Sequence, residues 1–400
     1  MLIVMKFGGS SVADTEKIRR VAGLIADEYS MGHKLVVVLS AQGDTTDDLI
    51  EKAHELNENP SRREMDMLLS TGEQISVALM AMALEKMGLP VVSLTGWQIG
   101  MRTNSDYGMA RIKKVTCERI GQELDKQRIV LVAGFQGINK FDDVTTLGRG
   151  GSDTTAVAIA ASMHADLCRI YTDVEGVYTA DPRKVKKAKK LQEITYDEML
   201  ELASQGAQVL HNRSVEMAKR YNVDLEVLSS YVKAPGTKVK EVVSVEQMQI
   251  SGIAKDTNVA RLALRDVKDE PGIAFKVFST LGRNKINVDI ILQSIGRDNS
   301  QDISFIVAES DADTAASIME GCKQSVGFSG IDVSKDVAKV SVVGAGLAEN
   351  AGVAARVFEA LYSAKINILM ISTSEIKISV LVDEKDADRA VAAIHEQFFE

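Results

Sequence analysis

The 400-residue chain holds only three cysteines, Cys117, Cys168 and Cys322, far apart and with no C-x-x-C pair. That excludes a disulfide framework, gives a cysteine zinc site no support and fits a reducing cytoplasm. There are five prolines and one tryptophan, so no proline-rich linker marks a domain boundary. Positive charge is not in excess: 47 Lys and Arg stand against 56 Asp and Glu, a formal net charge of −9. This argues against a broad basic surface for nucleic acid. No uninterrupted apolar run reaches the eighteen or so residues of a membrane span, and the opening MLIVMKFGGSS lacks the basic flank and the length of a signal segment. The expectation is a cytoplasmic protein with neither membrane nor nucleic acid as partner.

What is present is globular material, 45% hydrophobic and 26% charged, long enough for two or three domains. Leu2 to Lys6 reads as a buried strand, Gly8-Gly9 as a tight turn, and Asp14 to Glu28 as a helix with Ile18, Val21, Ala22 and Ile25 at helical spacing. Leu35 to Leu39 and Ile129 to Ala133 are continuous apolar strands, and Arg63 to Met87 is a helical stretch. Strands of this kind, interleaved with helices, predict an α/β domain with a mainly parallel sheet sandwiched by helices.

The C-terminal part is a repeat. Residues 269–294 align with 349–374, matching Gly272 to Gly352, Ala274 to Ala354, Val277-Phe278 to Val357-Phe358, and Lys285-Ile286-Asn287 to Lys365-Ile366-Asn367. Each copy reads as a βαββαβ, ferredoxin-like unit with a four-stranded sheet. The second copy runs out of chain before its last strand, whereas QISGIA at 249–254 precedes the first copy as an unassigned strand. The expected organisation is an N-terminal domain over 1–235, a first repeat over 259–334, and a second repeat built from 249–258 and 335–400, with the first inserted in it. The junction is expected within Lys233 to Val243, where Pro235 and Gly236 form a turn.

Several clusters offer chemistry. Lys6-Phe7-Gly8-Gly9-Ser10 puts a lysine at a strand end and backbone N–H groups at a helix start, where glycine lets an anion approach closely; Gly-Gly after a strand is also an ordinary turn. TLGRGGSDTTA at 146–156 opens a small-residue helix expected over Ala156 to Ser162. It suits a charged small molecule, or it is a flexible loop capped by Ser152 or Asp153. Tyr171 to Arg183 gathers acids, hydroxyls, an aromatic and an arginine after a strand. Glu73, in STGEQ, reads by spacing alone as a solvated charge. VSVVGAG at 340–346 has Glu349 where a dinucleotide fingerprint needs its third glycine and lies inside the repeat, which argues against a nicotinamide site.

In this order KFGGSSV, STGE, TLGRGGSDTTA, YTDVEGVYTADPR and EMLELASQGAQVLHNRSVEMA resemble the amino-acid kinase superfamily and, within it, the aspartate kinase family. The paired repeats resemble tandem ACT domains. The resemblance implies ATP-dependent phosphorylation of the side-chain carboxylate of L-aspartate to 4-phospho-L-aspartate, the first committed step towards lysine, threonine and methionine. Mg²⁺ would bridge the ATP phosphates, with no metal site of the protein's own. Lys6 and Asp153 would be catalytic, and Thr45, Glu73, Arg149, Gly150, Gly151 and Ser152 would hold aspartate. Lys6, Phe7, Gly8, Gly9, Ser10, Ser40, Thr172, Asp173, Tyr178, Thr179, Asp181 and Arg183 would hold ATP. Lysine and/or threonine would inhibit through Asp269, Gly272, Ala274, Asn287, Asp289 and Gln293, joined by Asn367 and Ile368 of the second repeat. That repeat lacks the proline before Gly352 and the threonine after Val353 that relatives often carry, so effector binding is expected mainly in the first. The ACT modules would form a homo-oligomer, or a hetero-oligomer with a regulatory subunit started internally at a residue such as Met248.

Overall fold

The computed structural model describes residues 1–207, 209–242, 250–294, 300–347 and 352–399. They form two compact units: Met1–Val177, Lys190–Ala203 and Gln208–Val245, and Tyr178–Lys189, Ser204–Ala207 and Glu246–Glu400. Residues expected wholly in the N-terminal domain, Tyr178–Lys189 and Ser204–Ala207, thus group with the C-terminal unit. Met248, Gln249 and Glu349 lie outside the described residues.

The strands of the first unit are β1 (Leu2–Phe7), β2 (Lys34–Leu39), β3 (Val91–Leu94), β4 (Met101–Thr103), β5 (Ile112–Val115), β6 (Ile129–Ala133), β7 (Gln136–Ile138), β8 (Val144–Thr146), β9 (Leu167–Thr172), β10 (Glu193–Thr195), β11 (Leu225–Ser229) and β12 (Thr237–Lys240). Its helices are α1 (Thr15–Ser30), α2 (Thr45–Leu56), α3 (Arg62–Lys86), α4 (Glu118–Asp125), α5 (Gly151–Met163), α6 (Tyr196–Ser204) and α7 (Asn212–Tyr221). The main sheet has the order β10-β12-β11-β9-β1-β2-β6-β3, parallel throughout except between β11 and β12. Ile3, Met5, Leu35, Val37, Ile129 and Leu131 share one face with Ile18, Val21 and Ile25 of α1 and Val77, Met80 and Leu84 of α3. Their neighbours Val4, Val36, Val38, Val130 and Val132 are equally buried, as the two-residue period of a strand covered on both faces requires. α3 is long and apolar enough to cross a membrane by length and composition, yet it buries Asp66, Ser70, Glu73 and Ser76 inside the unit.

Three local expectations change. α5 begins at Gly151, five residues earlier than its small-residue run, and its N-cap is Gly150 in the left-handed region (φ 66°) with no side-chain cap. Ser152 and Asp153 are therefore first-turn residues. Pro235-Gly236 is the turn of the β11–β12 hairpin, so it does not lead out of the unit; Val239 beyond it is fully buried. A second sheet, β5-β4-β7-β8, escapes sequence reading because its strands have three or four residues each.

The second unit contains β13 (Gly252–Lys268), β14 (Ile291–Gln293), β15 (Ser300–Ala308), β16 (Gly330–Val343), β17 (Met370–Thr373) and β18 (Lys377–Asp383). Its helices are α8 (Ile273–Arg283), α9 (Ala312–Gly321), α10 (Lys323–Val326), α11 (Val353–Ser363) and α12 (Ala387–Phe399). Instead of two four-stranded sheets there is one antiparallel sheet of six, β14-β15-β13-β16-β18-β17. The reason is length: β13 and β16 have 17 and 14 residues. Gly252–Asp256 pairs with Lys339–Val343, while Arg261–Arg265 pairs with Gly330–Ser334. Each repeat then packs its own helices, with Val277, Leu281 and Phe305 in one cluster and Val340, Val357, Leu361 and Ile394 in the other.

Candidate active site

In an open parallel sheet, ligands bind beyond the carboxyl ends of the strands where the strand order reverses. Here that point is β1, with β2 on one side and β9 on the other. Lys6 stands at its carboxyl end and points to the first turn of α5, where its Nζ lies 2.6 Å from Asp153 Oδ1. Both side chains are about one-eighth exposed, at 13% and 12%. The pair faces the positive end of α5, whose first backbone N–H groups have no partners within the helix.

Gly9 lets the turn after β1 approach the backbone that follows β2. A Cβ on Gly9 would sit 2.6 Å from the carbonyl oxygen of Ala41, and Ser11 N donates to Gly8 O at 3.0 Å. The backbone of Ala41 also organises α3: its N–H donates to Glu73 Oε1 at 3.1 Å, and Gly72 allows Ala41 Cβ to approach. Thr45 opens α2 beside Gly72. Glu73, expected by spacing to be solvated, is only 3% exposed, and its Oε2 has no hydrogen-bond partner among the described residues. Burial pushes its carboxyl up to about 7, against the opposing pull of backbone N–H groups. An unpartnered buried carboxylate oxygen is what an incoming ammonium would satisfy.

The loop before α5 is fastened by residues the sequence does not single out. Asp66 accepts from Gly108 N (3.0 Å), Thr146 N (2.9 Å) and Thr146 Oγ1 (2.7 Å); burial raises its carboxyl and these bonds hold it down. Arg213 donates to the carbonyls of Leu147 at 2.5 Å and Ala110 at 3.0 Å. His211 caps α7, and a Cβ on Gly150 would strike its ring at 2.2 Å. Burial lowers the His211 imidazole, while the negative charge of Asp153 raises it. His211 and Arg213 lie in the LHNRSV stretch of the last motif, which was the available signal; Asp66 had none. Arg149 is exposed and makes no ion pair among the described residues, free to meet an anion.

The other expected residues divide. Ser40 follows β2, Thr172 ends β9, and the Thr172 hydroxyl donates to exposed Asp173 at 3.0 Å. Ser10 is exposed, and its carbonyl accepts from Tyr231 Oη at 2.9 Å. Phe7 is fully buried with its ring stacked on Tyr171 at 4.4 Å, so only its backbone can serve a ligand. Tyr178, Thr179, Asp181 and Arg183 lie in the second unit. Arg183 is 82% exposed and grips Asp181 with two nitrogens, Nε at 2.9 Å and Nη2 at 3.0 Å; this holds the Asp181 carboxyl below its usual range. Thr179 is fully buried, its hydroxyl engaged inside the unit.

Of the expected effector residues, Asp269, Gly272, Ala274, Asn287, Asp289, Gln293 and Asn367 are exposed and Ile368 is half-buried. Gln293 Nε2 donates to Gln301 Oε1, and buried Lys339 pairs with Asp289. The two repeats differ at their helix starts. Gly272 is left-handed at φ 94°, whereas Gly352 sits at φ −90°, where any residue fits.

Comparison with known proteins adds the following. The amino acid kinase family model matches residues 1–229, and the ACT domain model matches 265–321 and 340–398. The chain is 48% identical over 398 residues to aspartokinase 2 of Bacillus subtilis, covering 99% of this chain and 97% of that protein. It resembles the crystal structure of E. coli aspartokinase III in complex with aspartate and ADP (R-state), with a TM-score of 0.84, 28% identity and full coverage of both chains. The same enzyme in complex with lysine and aspartate (T-state) gives a TM-score of 0.78 at 27% identity, again with full coverage.

Proposed function

The chain belongs to the amino acid kinase family as an aspartate kinase that phosphorylates aspartate with ATP, and we propose that it does so at the side-chain carboxylate, giving 4-phospho-L-aspartate. The observation that carries this is the 2.6 Å contact of Lys6 with Asp153 at the start of α5. A side-chain carboxylate with an ordinary pKa of about 3.9 is ionised at neutral pH, so no general base is needed. One of its oxygens forms a bond to the γ-phosphorus as the bond from phosphorus to the β–γ bridging oxygen breaks, and ADP leaves with that electron pair. Catalysis is then alignment and charge stabilisation.

Lys6 neutralises the transferring phosphoryl group and Asp153 holds Lys6 in place. Gly8, Gly9 and Ser10 support the phosphates, with Ser40 beside them. Arg149 clamps the aspartate α-carboxylate through its planar fork, Glu73 receives the ammonium, and Gly150, Gly151, Ser152 and Thr45 shape the remaining walls. Thr172, Asp173, Tyr178, Asp181 and Arg183 hold the nucleotide. Mg²⁺, carried on the phosphates with hard oxygen ligands, would offset their charge; Asp173 is an exposed carboxylate of the right chemistry.

The ACT repeats take lysine and/or threonine as feedback effectors, chiefly in the first repeat, and join chains into a homo-oligomer or a complex with a regulatory subunit. The left-handed Gly272 and exposed Asn287, Asp289 and Gln293 support that reading. The product would feed lysine, threonine and methionine synthesis. All three cysteines are free, in keeping with a reducing cytoplasm.

The test is ADP release with aspartate as acceptor, with and without lysine and threonine. Lys6→Ala should lower turnover by about 10² to 10³ while leaving the fold intact. Turnover within a few-fold of the unsubstituted enzyme would refute the assignment.

A further inference from the structure

Asp66 is 1% exposed, and a carboxylate buried that deeply is costly unless its acceptors are filled. They are filled by three neutral donors from two segments distant in sequence. Oδ2 accepts from Gly108 N and Thr146 N, and Oδ1 accepts from the Thr146 hydroxyl. The two segments also hold each other: Ala110 N donates to Thr146 O at 2.9 Å, and a Cβ on Gly148 would lie 3.1 Å from Gly108 O. A buried polar network whose members are all satisfied fixes one geometry. Here that geometry belongs to the chain leaving β8, three residues before Arg149.

The rest of the loop is tied to the same unit. Leu147 N donates to Phe135 O at 2.8 Å, Leu147 O accepts from Arg213, and Gly151 N donates to Gly148 O at 2.9 Å. The start of α5 has anchors of its own. The Thr155 hydroxyl accepts from Phe135 N at 3.1 Å and donates to Gly151 O at 2.8 Å, and Lys6 meets Asp153 one turn away. Loss of Asp66 therefore disturbs the loop that carries Arg149 and spares the Lys6–Asp153 pair.

Asp66 and Glu73 are both buried on α3, seven residues apart, which is two helical turns and about 10 Å along the axis. That spacing puts them on one face of the helix. We infer that Asp66 is a positioning residue for aspartate: α3 receives the ammonium at Glu73 and, through Asp66, sets the place of the loop that carries the Arg149 clamp. This rests on the reading that Glu73 and Arg149 hold aspartate. One helix then spaces the two groups that recognise an α-amino acid, the ammonium receiver and the carboxylate clamp, and it does so with or without nucleotide.

The experiment measures steady-state kinetics without effectors for Asp66→Ala, Asp66→Asn, Thr146→Val, Arg149→Ala and the double variant Asp66→Ala/Arg149→Ala. Asp66→Ala leaves three buried donors unpaired and should raise KM for aspartate about tenfold, with kcat and KM for ATP within twofold. Asp66→Asn keeps a carbonyl for the two N–H groups, and the Thr146 hydroxyl can turn to accept from its amide, so KM for aspartate should stay within twofold. Thr146→Val removes one of the three bonds and should raise KM for aspartate about threefold; it replaces Asp66→Ala in the comparison should the alanine variant not fold. In the Arg149→Ala background, Asp66→Ala should change kcat/KM for aspartate by less than twofold, because the clamp it places is gone. Arg149→Ala alone reports on the underlying reading. If it leaves KM for aspartate unchanged, Arg149 is no clamp and the inference falls with that reading. If it raises KM for aspartate while Asp66→Ala and Thr146→Val do not, the reading stands and the positioning role is overturned. Losses that multiply in the double variant, or kcat and KM for ATP changing as much as KM for aspartate, would make Asp66 a general structural residue and overturn it as well.

Discussion

Replacing Glu73 by glutamine should make the protein more stable and a poorer enzyme, and the size of the first effect follows from the site. The carboxyl is 97% buried by its 3% exposure and is raised from 4.5 to about 7. A carboxyl whose folded pKa lies above its unfolded one binds its proton more tightly when folded. The folded state therefore loses stability as pH rises from about 4.5 to about 7, and the deficit is complete above that. The shift corresponds to about 3 kcal/mol at pH 8, of which about 2 kcal/mol develops between pH 5.5 and pH 8. Glutamine keeps the acceptor for Ala41 N–H, loses the charge and leaves its own amide unsatisfied, so part of the gain is returned. Calorimetry of the protein without substrate should show the variant's first unfolding transition gaining on the unsubstituted one by roughly 4–8 °C between pH 5.5 and 8. Saturating aspartate should close the gap, because its ammonium favours the ionised carboxylate. KM for aspartate should rise at least tenfold in the variant, with KM for ATP within twofold. A melting difference that is the same at both pH values would refute the buried, ammonium-receiving carboxylate.

Arg149→Lys should raise KM for aspartate about tenfold and leave ATP binding unchanged, because lysine keeps the charge but loses the planar fork; isothermal titration with each substrate checks this. Gly150→Ala places a methyl group against the His211 ring at a left-handed position that by itself costs a residue with a Cβ about 1–2 kcal/mol. It should weaken aspartate binding and lower the melting temperature by a few degrees, read by the same assay and by calorimetry. Gln293→Ala, in the second unit, should relieve inhibition by lysine or threonine at least fivefold without lowering uninhibited turnover, measured as the effector concentration that halves the rate.

Much of the catalytic unit was legible because its signals are local. β6 falls on its expected residues, β1 and β2 within one residue, and α1 begins after the Asp14 cap as its apolar spacing implies. The motif residues Lys6 and Asp153, 147 positions apart in sequence, lie 2.6 Å apart in the structure. What sequence could not show depends on partners distant along the chain. Glu73 looks like a surface acid until Ala41 and the sheet cover it. The α5 start was misplaced because glycine and polar residues have low helix propensity, whereas here Gly150 makes the left-handed turn and the Thr155 hydroxyl folds back on Gly151 O at 2.8 Å. Pro235-Gly236 signals a turn correctly but cannot say whether the chain returns to its own sheet. The repeat was readable, yet its pattern gives no sign that β13 and β16 serve both copies.

Those shared strands dictate an order of assembly as the chain is made. Arg261–Arg265 can pair with Gly330–Ser334 once about seventy residues separate them, a loop whose closure entropy grows only slowly with length. Gly252–Asp256 has to wait for Lys339–Val343, and the cluster that receives Ala180 and Val185 is complete only with Ile394. The first repeat can therefore close during synthesis. The segment from 178 to 189, made long before, stays without its core until the final helix has formed. The first unit's sheet can form from the N-terminal side while the segment from 178 to 189 is ordered only from the C-terminal one, so a ribosome-bound chain stalled before residue 387 should hold a folded main sheet and still leave that segment open to protease.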